Sequence, residues 1–141
     1  MKWVMFSRIL SSPTTHKRAL ISELRKRLNN ISYDMVLKVK VEGLDIYAPV
    51  HWYDPVNITW NVTELIKQSS GWDIKNNKNN GTAEHIGKFI EHGISELEKH
   101  PDKYKQFEAP NGWGTVEGTL KFYRRFLEYL KEYPYAYVFP E

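Results

Sequence analysis

Two long segments with apolar residues at helical spacing, each followed by a proline, most constrain what this chain can fold into. One runs from Thr82 to Pro101 and the other from Thr115 to Pro134. Thr82 is a predicted N-cap, and proline ends helices. We therefore expect two amphipathic helices, the second ending near Glu132. Their predicted apolar stripes are Ile86, Phe89, Ile90, Ile94 and Leu97, and Val116, Leu120, Tyr123, Leu127 and Leu130.

An alternating pattern upstream of these helices predicts a strand hairpin. From Tyr33 to Val41 the odd-numbered positions 35 to 41 are all apolar, and two of the intervening positions are lysines. This period of two is typical of a half-buried strand. Residues 42–45, Glu-Gly-Leu-Asp, are the predicted turn, and Ile46–Trp52 is the predicted return strand. Pro49 favours an edge position or a bulge in that strand.

A short helix and a last strand complete the predicted domain. Asn61 is a predicted N-cap, because asparagine caps helices and Glu64 stands where a reciprocal partner would. Ser69, Ser70 and Gly71 end that helix, and the alternation over Tyr135–Phe139 predicts the final strand. The expected fold class is α+β, a small antiparallel sheet packed against two or three helices.

Residues 1–30 form a predicted basic strand and helix extension, and residues 31–141 a single α+β domain. The chain has 141 residues, the size of about one domain. Through Lys40 it carries nine Lys or Arg and two acidic residues, and the remainder is acidic. Such asymmetry indicates either an anionic partner or a solvated helix face. Arg18, Arg25 and Arg27 are the predicted phosphate contacts if the partner is a nucleic acid.

Several function classes are excluded or disfavoured by what the chain lacks. It has no cysteine, so thiolate nucleophiles and cysteine-held metals are excluded. Its five histidines include no His-x-x-x-His pair, and no metal site or cofactor is expected. No run of 18 apolar residues is present, which predicts a protein that does not span a membrane. The short apolar start, broken by Arg8, is not expected to be a secretion signal, so a cytoplasmic protein is expected.

The first motif with possible binding chemistry is Asn57-Ile58-Thr59-Trp60-Asn61. It places two carboxamides and a hydroxyl where a strand gives way to a helix. Carboxamides donate and accept hydrogen bonds without charge, so they can read the edge of a nucleobase or a ribose. The alternative is that these asparagines serve only as turn and cap residues.

The second motif is Asn111-Gly112-Trp113-Gly114-Thr115, which leads directly into the last helix. Glycines let backbone amides approach a ligand, a helix N-terminus favours an anion, and a tryptophan offers a stacking face. Arg124 and Arg125, further along that helix, are candidate anion contacts, with solvent-facing side chains as the alternative; Arg124 is the one included in the predicted site. The alternative is that Trp113 only anchors a tight turn. The motif lacks the lysine of a P-loop, so hydrolysis of nucleoside triphosphates is not implied.

In order and spacing the two motifs resemble a family of small phage and prophage proteins without an assigned activity. The resemblance covers roughly Val39 to Val138 and includes the Pro101-Asp102-Lys103-Tyr104 element and Gly118. It implies a phage context, the host cytoplasm and an accessory role, and it supplies no reaction. The family commonly has histidine where this chain has Trp60, and this departure favours stacking or packing over catalysis.

These observations predict a phage anti-defence protein that binds and sequesters a small nucleotide-like signal, with no catalytic residue and no cofactor. The ligand-binding residues are predicted to be Asn57, Thr59, Trp60, Asn61, Asn111, Gly112, Trp113, Gly114 and Arg124. A homo-oligomer is expected, because aromatic residues make up 14% of the chain and tyrosine and tryptophan are enriched at interfaces. The alternatives are binding of a nucleic acid through the basic N-terminal helix, inhibition of a host protein, and an enzyme acting on a nucleotide or a sugar.

Overall fold

The structure is a computed structural model and describes residues 17, 19–20, 32–50, 56–76 and 80–141. Internal contacts divide the chain into two units, Met1–Ile31 and Ser32–Glu141. Of the first unit the structure describes Lys17, Ala19 and Leu20, which are helical. The rest of the helix expected over Thr15–Asn29 and the strand expected over Lys2–Ile9 lie outside the described residues.

The described residues of the second unit form four helices and an antiparallel sheet of four strands, so the expected α+β class is confirmed. Within the described residues, no helix has the length and apolar character needed to cross a bilayer. In chain order the elements are β1 (Ser32–Lys40), β2 (Tyr47–Pro49), β3 (Val56–Thr59), a 3₁₀ turn (Trp60–Val62), α1 (Thr63–Ser70), α2 (Ala83–Lys99), α3 (Pro101–Tyr104), a second 3₁₀ turn (Lys105–Phe107), α4 (Val116–Glu132) and β4 (Tyr137–Pro140).

Strand β1 is the common partner of the other three strands. It pairs antiparallel with β3 through Ser32 to Met35, with β4 through Met35 to Lys38, and with β2 through Lys38 to Lys40. Met35 and Leu37 are fully buried and Lys40 is exposed, as the alternation predicted. The sheet therefore has one face on the core.

Two predicted strands are longer than the observed ones. Of the strand expected over 46–52 the structure describes residues 46–50, and β2 spans three of them, although the Val50 amide still donates to the Leu37 carbonyl at 2.9 Å. Residues 51 and 52 lie outside the described residues. β4 begins at Tyr137 rather than Tyr135, because the Ala136 amide and carbonyl bond to the Tyr133 carbonyl and the Ala83 amide outside the sheet. Sequence alternation alone carries no information about these bonds.

The bounds of the two long helices agree with their predicted ends. The Thr82 hydroxyl accepts from the His85 amide at 3.3 Å, which confirms the predicted N-cap of α2. In α4 the predicted stripe is partly wrong, because Leu120 and Leu127 are only half-buried while Phe122 and Phe126 are buried. The buried face of α4 is wide because this helix packs against both α2 and β3.

Helices α2 and α4 approach closely where Gly93 faces Tyr123. A Cβ atom on Gly93 would lie 2.6 Å from Cε2 of Tyr123, closer than real side chains pack. The Tyr123 hydroxyl lies 2.6 Å from the Ser69 hydroxyl on α1, and burial raises the pKa of Tyr123 to about 12. Three helices therefore meet at one buried, hydrogen-bonded ring.

The segment after α1 is held by a buried tryptophan and a buried carboxylate. The Trp72 ring stacks on Phe126 of α4 at a centroid distance of 5.7 Å. Next to it, the Asp73 carboxylate accepts hydrogen bonds from the amide and carboxamide of Asn76, at 3.3 and 2.9 Å. The side-chain bond from Asn76 is the largest reason that the pKa of Asp73 is lowered, and burial opposes it.

We expect Gly93→Ala to lower the free energy of unfolding by about 1–2 kcal/mol. Overpacking costs about 1–3 kcal/mol, and removing a helix-interior glycine returns up to about 1 kcal/mol. Gly87→Ala is the matched control on the same helix, since its Cβ would lie 3.8 Å from Leu127 of α4, an ordinary contact. Urea unfolding checks both, and equal effects of the two substitutions would contradict the close approach at Gly93.

We expect Asp73→Asn to destabilise the protein at neutral pH, and the deficit to shrink as the pH falls below about 4. A carboxyl whose pKa is lowered by folding adds stability above its unfolded pKa, and that stability is lost as the pH falls through the folded pKa. Urea unfolding at about pH 7, 5 and 3 measures the difference. Asp45→Asn, at a fully exposed side chain, is the control. If Asp73→Asn lowers the free energy of unfolding by the same amount at all three pH values, the lowered pKa of Asp73 is contradicted.

Candidate ligand-binding cavity

The first motif lies at the end of β3 and in the turn that follows. Val56 and Ile58 are buried, so Asn57 and Thr59 alternate with them away from the core. The Asn57 carboxamide donates to Oδ1 of Asp34 at 2.6 Å. The donor side of this carboxamide is therefore already engaged within the sheet.

The prediction that Asn61 caps the short helix is wrong. Asn61 lies inside the 3₁₀ turn, and α1 begins two residues later, at Thr63. The residue before the helix is Val62, which has no capping side chain, and the Thr63 hydroxyl instead donates to the Trp60 carbonyl at 2.8 Å. The 3₁₀ turn places the start of α1 two residues after Asn61, so Asn61 is not the N-cap residue.

The second motif is a tight loop that lies against this turn. Gly114 has a φ of +100°, and a Cβ atom there would lie 2.3 Å from Cγ1 of Val62. The Asn111 side chain accepts from the Trp113 amide at 3.0 Å, which holds the loop from within. The second motif therefore contacts Val62, the residue directly after the first motif, about fifty residues away in the chain.

The N-terminus of α4 is not the open anion site that the sequence suggested. The Val116 amide donates to Oε1 of Glu108 at 2.9 Å, and the Gly118 amide donates to the Thr115 hydroxyl at 3.0 Å. A carboxylate already occupies the position where a phosphate would profit from the helix dipole. We therefore place no anion there.

A cavity of about 340 Å³ lies between β3 and the side of α4. One wall is β3, the opposite wall is a stripe of α4 with the spacing i, i+3, i+4 and i+7, and Val62 and Gly114 contribute to its lining. A volume of this size suits a small-molecule ligand. The lining residues are Val56, Asn57, Ile58, Thr59, Val62, Gly114, Gly118, Lys121, Phe122 and Arg125.

Two cations on α4 give this cavity a positive wall. Lys121 and Arg125 stand one helical turn apart, and both are exposed. Lys121 has a loose ion pair with Glu117 at 3.6 Å, in which both side chains are largely exposed. Arg125 has no carboxylate partner among the residues that the structure describes. An exposed pair of this kind is weak, so both cations remain available to an anion.

Of the predicted binding residues, only Asn57, Thr59 and Gly114 line the cavity. The Trp60 ring is engaged elsewhere, stacked on Tyr33 at 5.2 Å with the Lys75 ammonium 4.6 Å from its centre. Trp113 is 65% exposed. Asn61, Asn111, Gly112 and Trp113 are near in the chain but are not part of the lining.

Arg124 does not line this cavity. Its guanidinium donates to Oε1 of Glu98 at 2.8 Å, and it lines a different cavity, of about 520 Å³, between α4 and the end of α2. Sequence reasoning missed Lys121 and chose Arg124 over its neighbour Arg125. The available signal was the spacing of Lys121 and Arg125, three and seven residues from Gly118. The predicted nucleic-acid contacts Arg18, Arg25 and Arg27 lie outside the described residues.

Comparison of the chain with protein-family models, with curated proteins and with solved structures finds no match in any of the three. The resemblance to small phage proteins therefore stays a prediction based on the two motifs. The geometry of the cavity is the starting point for assigning a function.

We expect Gly114→Ala to destabilise the protein by about 2–4 kcal/mol. The substitution combines a strained backbone, which costs about 1–3 kcal/mol, with overlap against Val62. Gly112→Ala is the control, since Gly112 also has a positive φ, +76°, but nothing lies within 4 Å of its Cβ. That control is expected to cost only about 1–2 kcal/mol. Urea unfolding measures the stability of both variants. Equal losses of stability would contradict the close contact between Gly114 and Val62.

Proposed function

We propose that this protein binds a small nucleotide-like anion in the cavity between β3 and α4 and holds it without chemical change. The single observation that carries this proposal is the pair of cations, Lys121 and Arg125, on the wall of a cavity with the volume of a small-molecule site. An arginine without a carboxylate partner among the described residues is a strong hydrogen-bond donor for phosphate.

The rest of the lining supports a nucleotide rather than a simple ion. Val56, Ile58 and Phe122 give the cavity an apolar part, while Asn57 and Thr59 add neutral polar groups. Ligand sites combine apolar surface with a few placed polar groups in this way. A ligand that matches has an apolar or aromatic body, neutral hydrogen-bonding groups and a negative charge, as nucleotides do.

The composition of the lining supports binding without turnover. The cavity-lining residues within the described part of the chain include no carboxylate, imidazole or thiol. Thr59 supplies a hydroxyl, but no general base lines the cavity beside it, and activation of such a nucleophile needs one. We therefore infer that the protein releases its ligand chemically unchanged.

The biological setting belongs to the same proposal. The resemblance of the Asn-x-Thr-x-Asn and Asn-Gly-Trp-Gly segments to small phage proteins supports an accessory, anti-defence role in the host cytoplasm, with a host immune signal as the sequestered ligand. A homo-oligomer is part of the proposal as well. It is supported by the exposure of Tyr47 and Tyr137, whose rings lie 5.7 Å apart across the strands β2 and β4.

Calorimetric titration with the ribonucleoside 5′-monophosphates tests the proposal. We expect at least one of them to bind, and Arg125→Gln to weaken that binding by about 10- to 100-fold. This range corresponds to the loss of a charge-assisted hydrogen bond. Arg124→Gln is the matched control, because the adjacent Arg124 lines the other cavity and pairs with Glu98.

Heat release of the bound ligand, followed by mass spectrometry, tests the second half of the proposal. Recovery of the unchanged nucleotide is expected, and recovery of a product contradicts binding without turnover. If no nucleotide binds, or if both arginine variants bind equally well, the cavity is not a nucleotide site. Light scattering on the same samples reports the oligomeric state.

A further inference from the structure

One edge of strand β3 has no partner strand among the described residues, and this edge lies at the cavity. Within the described residues β3 pairs only with β1, in a register that sets Asn57 opposite Asp34. The Asp34 backbone amide donates to the Glu141 carbonyl at 2.8 Å, and the Asp34 carbonyl accepts a hydrogen bond from the Glu141 amide at 2.9 Å. In an antiparallel pair, residues alternate between those that exchange both bonds and those that exchange none. The backbone amide and carbonyl of Asn57 therefore point away from β1.

These two backbone groups are available for a ligand. No hydrogen bond from a described residue reaches the amide or the carbonyl of Asn57, and that residue lines the cavity. The amide of Thr59, two residues further on, has the same direction by the same alternation. Because the Asn57 carboxamide donates to Asp34, the backbone of β3 is better placed than this side chain to read a ligand.

The opposite wall of the cavity contains a glycine in the first turn of α4, where an added Cβ would meet no buried side chain among the described residues. Gly118 lies inside α4, where glycine is unfavourable relative to alanine. A Cβ atom there would meet only the Thr115 hydroxyl, at 3.2 Å, whereas the one at Gly93 would overlap a buried ring. Gly118 shares its helix face with Lys121 and Arg125, so the space it leaves open belongs to the cavity.

We infer that the ligand is a nucleoside phosphate whose base is read by the backbone edge of β3 at Asn57. Its phosphate lies near Lys121 and Arg125 on α4, and the absence of a side chain at Gly118 leaves room between the two walls. This inference rests on the proposed function and names the ligand class and the reading group. The neutral donor and acceptor on one wall and the cations on the other match the two chemical ends of a nucleotide.

An acidic peptide added as an extra strand would use the same two features, and the geometry favours the nucleotide. β3 has four residues, and Val56 and Ile58 use their backbone groups on β1. Peptides that extend a sheet depend on a ladder of main-chain hydrogen bonds. Asn57 and the Thr59 amide offer too few groups for such a ladder, but enough for one base.

Amide hydrogen exchange measured by NMR tests which group reads the ligand. We expect the exchange of the Asn57 amide to slow by about tenfold or more when a ribonucleoside 5′-monophosphate is added, as an amide does when it gains a hydrogen-bond partner. The Ile58 amide is the internal control, since it is already bonded within the sheet. Ribose 5-phosphate, which has no base, is expected to leave the Asn57 amide unchanged.

Gly118→Ala tests the shape of the opposite wall without endangering the fold. We expect this variant to unfold at the same urea concentration as the wild type or a higher one, and to bind the nucleotide at least about tenfold more weakly. A variant that is folded and binds as tightly as the wild type overturns the inference. If the variant does not fold, the exchange rate of the Asn57 amide is the measurement that supports or overturns the inference.

The failures of the two proposals are distinguishable. If a nucleotide binds by calorimetry but the Asn57 amide exchanges as fast as before, the backbone reading is wrong and the proposed function stands. If no nucleotide binds, both are wrong. Protection of the Asn57 amide by a short peptide of aspartate and glutamate, with none by nucleotides, shows that β3 accepts a strand and overturns the inference.

Discussion

The orientation of α4 depends on buried packing in which one ring, that of Tyr123, is also hydrogen-bonded. Tyr123 projects from α4 into the space that Gly93 leaves on α2, and its hydroxyl lies 2.6 Å from that of Ser69 on α1. A helix held by a hydrogen-bonded ring on one side cannot rotate about its axis without leaving a buried polar group unsatisfied. Because α4 is fixed in this way, the exposed stripe that carries Lys121 and Arg125 lies on the wall of the cavity beside β3.

Electrostatics at α4 explain why the candidate site lies along its side and not at its end. The first turn of the helix is satisfied by Glu108 and by the Thr115 hydroxyl, so its positive dipole end already has a negative partner. The side chains of Lys121 and Arg125 lie one and two turns further along. Among the residues that the structure describes, the only carboxylate paired with either is the exposed Glu117. Positive potential is therefore left on the wall of the cavity.

Local sequence signals predicted the elements that depend on local interactions. The cap at Thr82 and the proline at Pro101 mark the ends of α2, because capping and the loss of an amide act within one turn. The same reasoning failed at Asn61, where packing of Gly114 against Val62 accompanies a 3₁₀ turn that shifts the start of the next helix. A contact with a residue about fifty positions away is invisible to a local signal.

By itself, the sequence determined the fold class, the bounds of the long helices and the residue types that could hold an anion. It could not decide between Arg124 and Arg125. Adjacent residues on a helix point about 100° apart, so one of them faces Glu98 and the other faces β3. That choice is made by the rotation of α4 about its axis, which depends on Tyr123, Gly93 and Ser69 meeting in three dimensions.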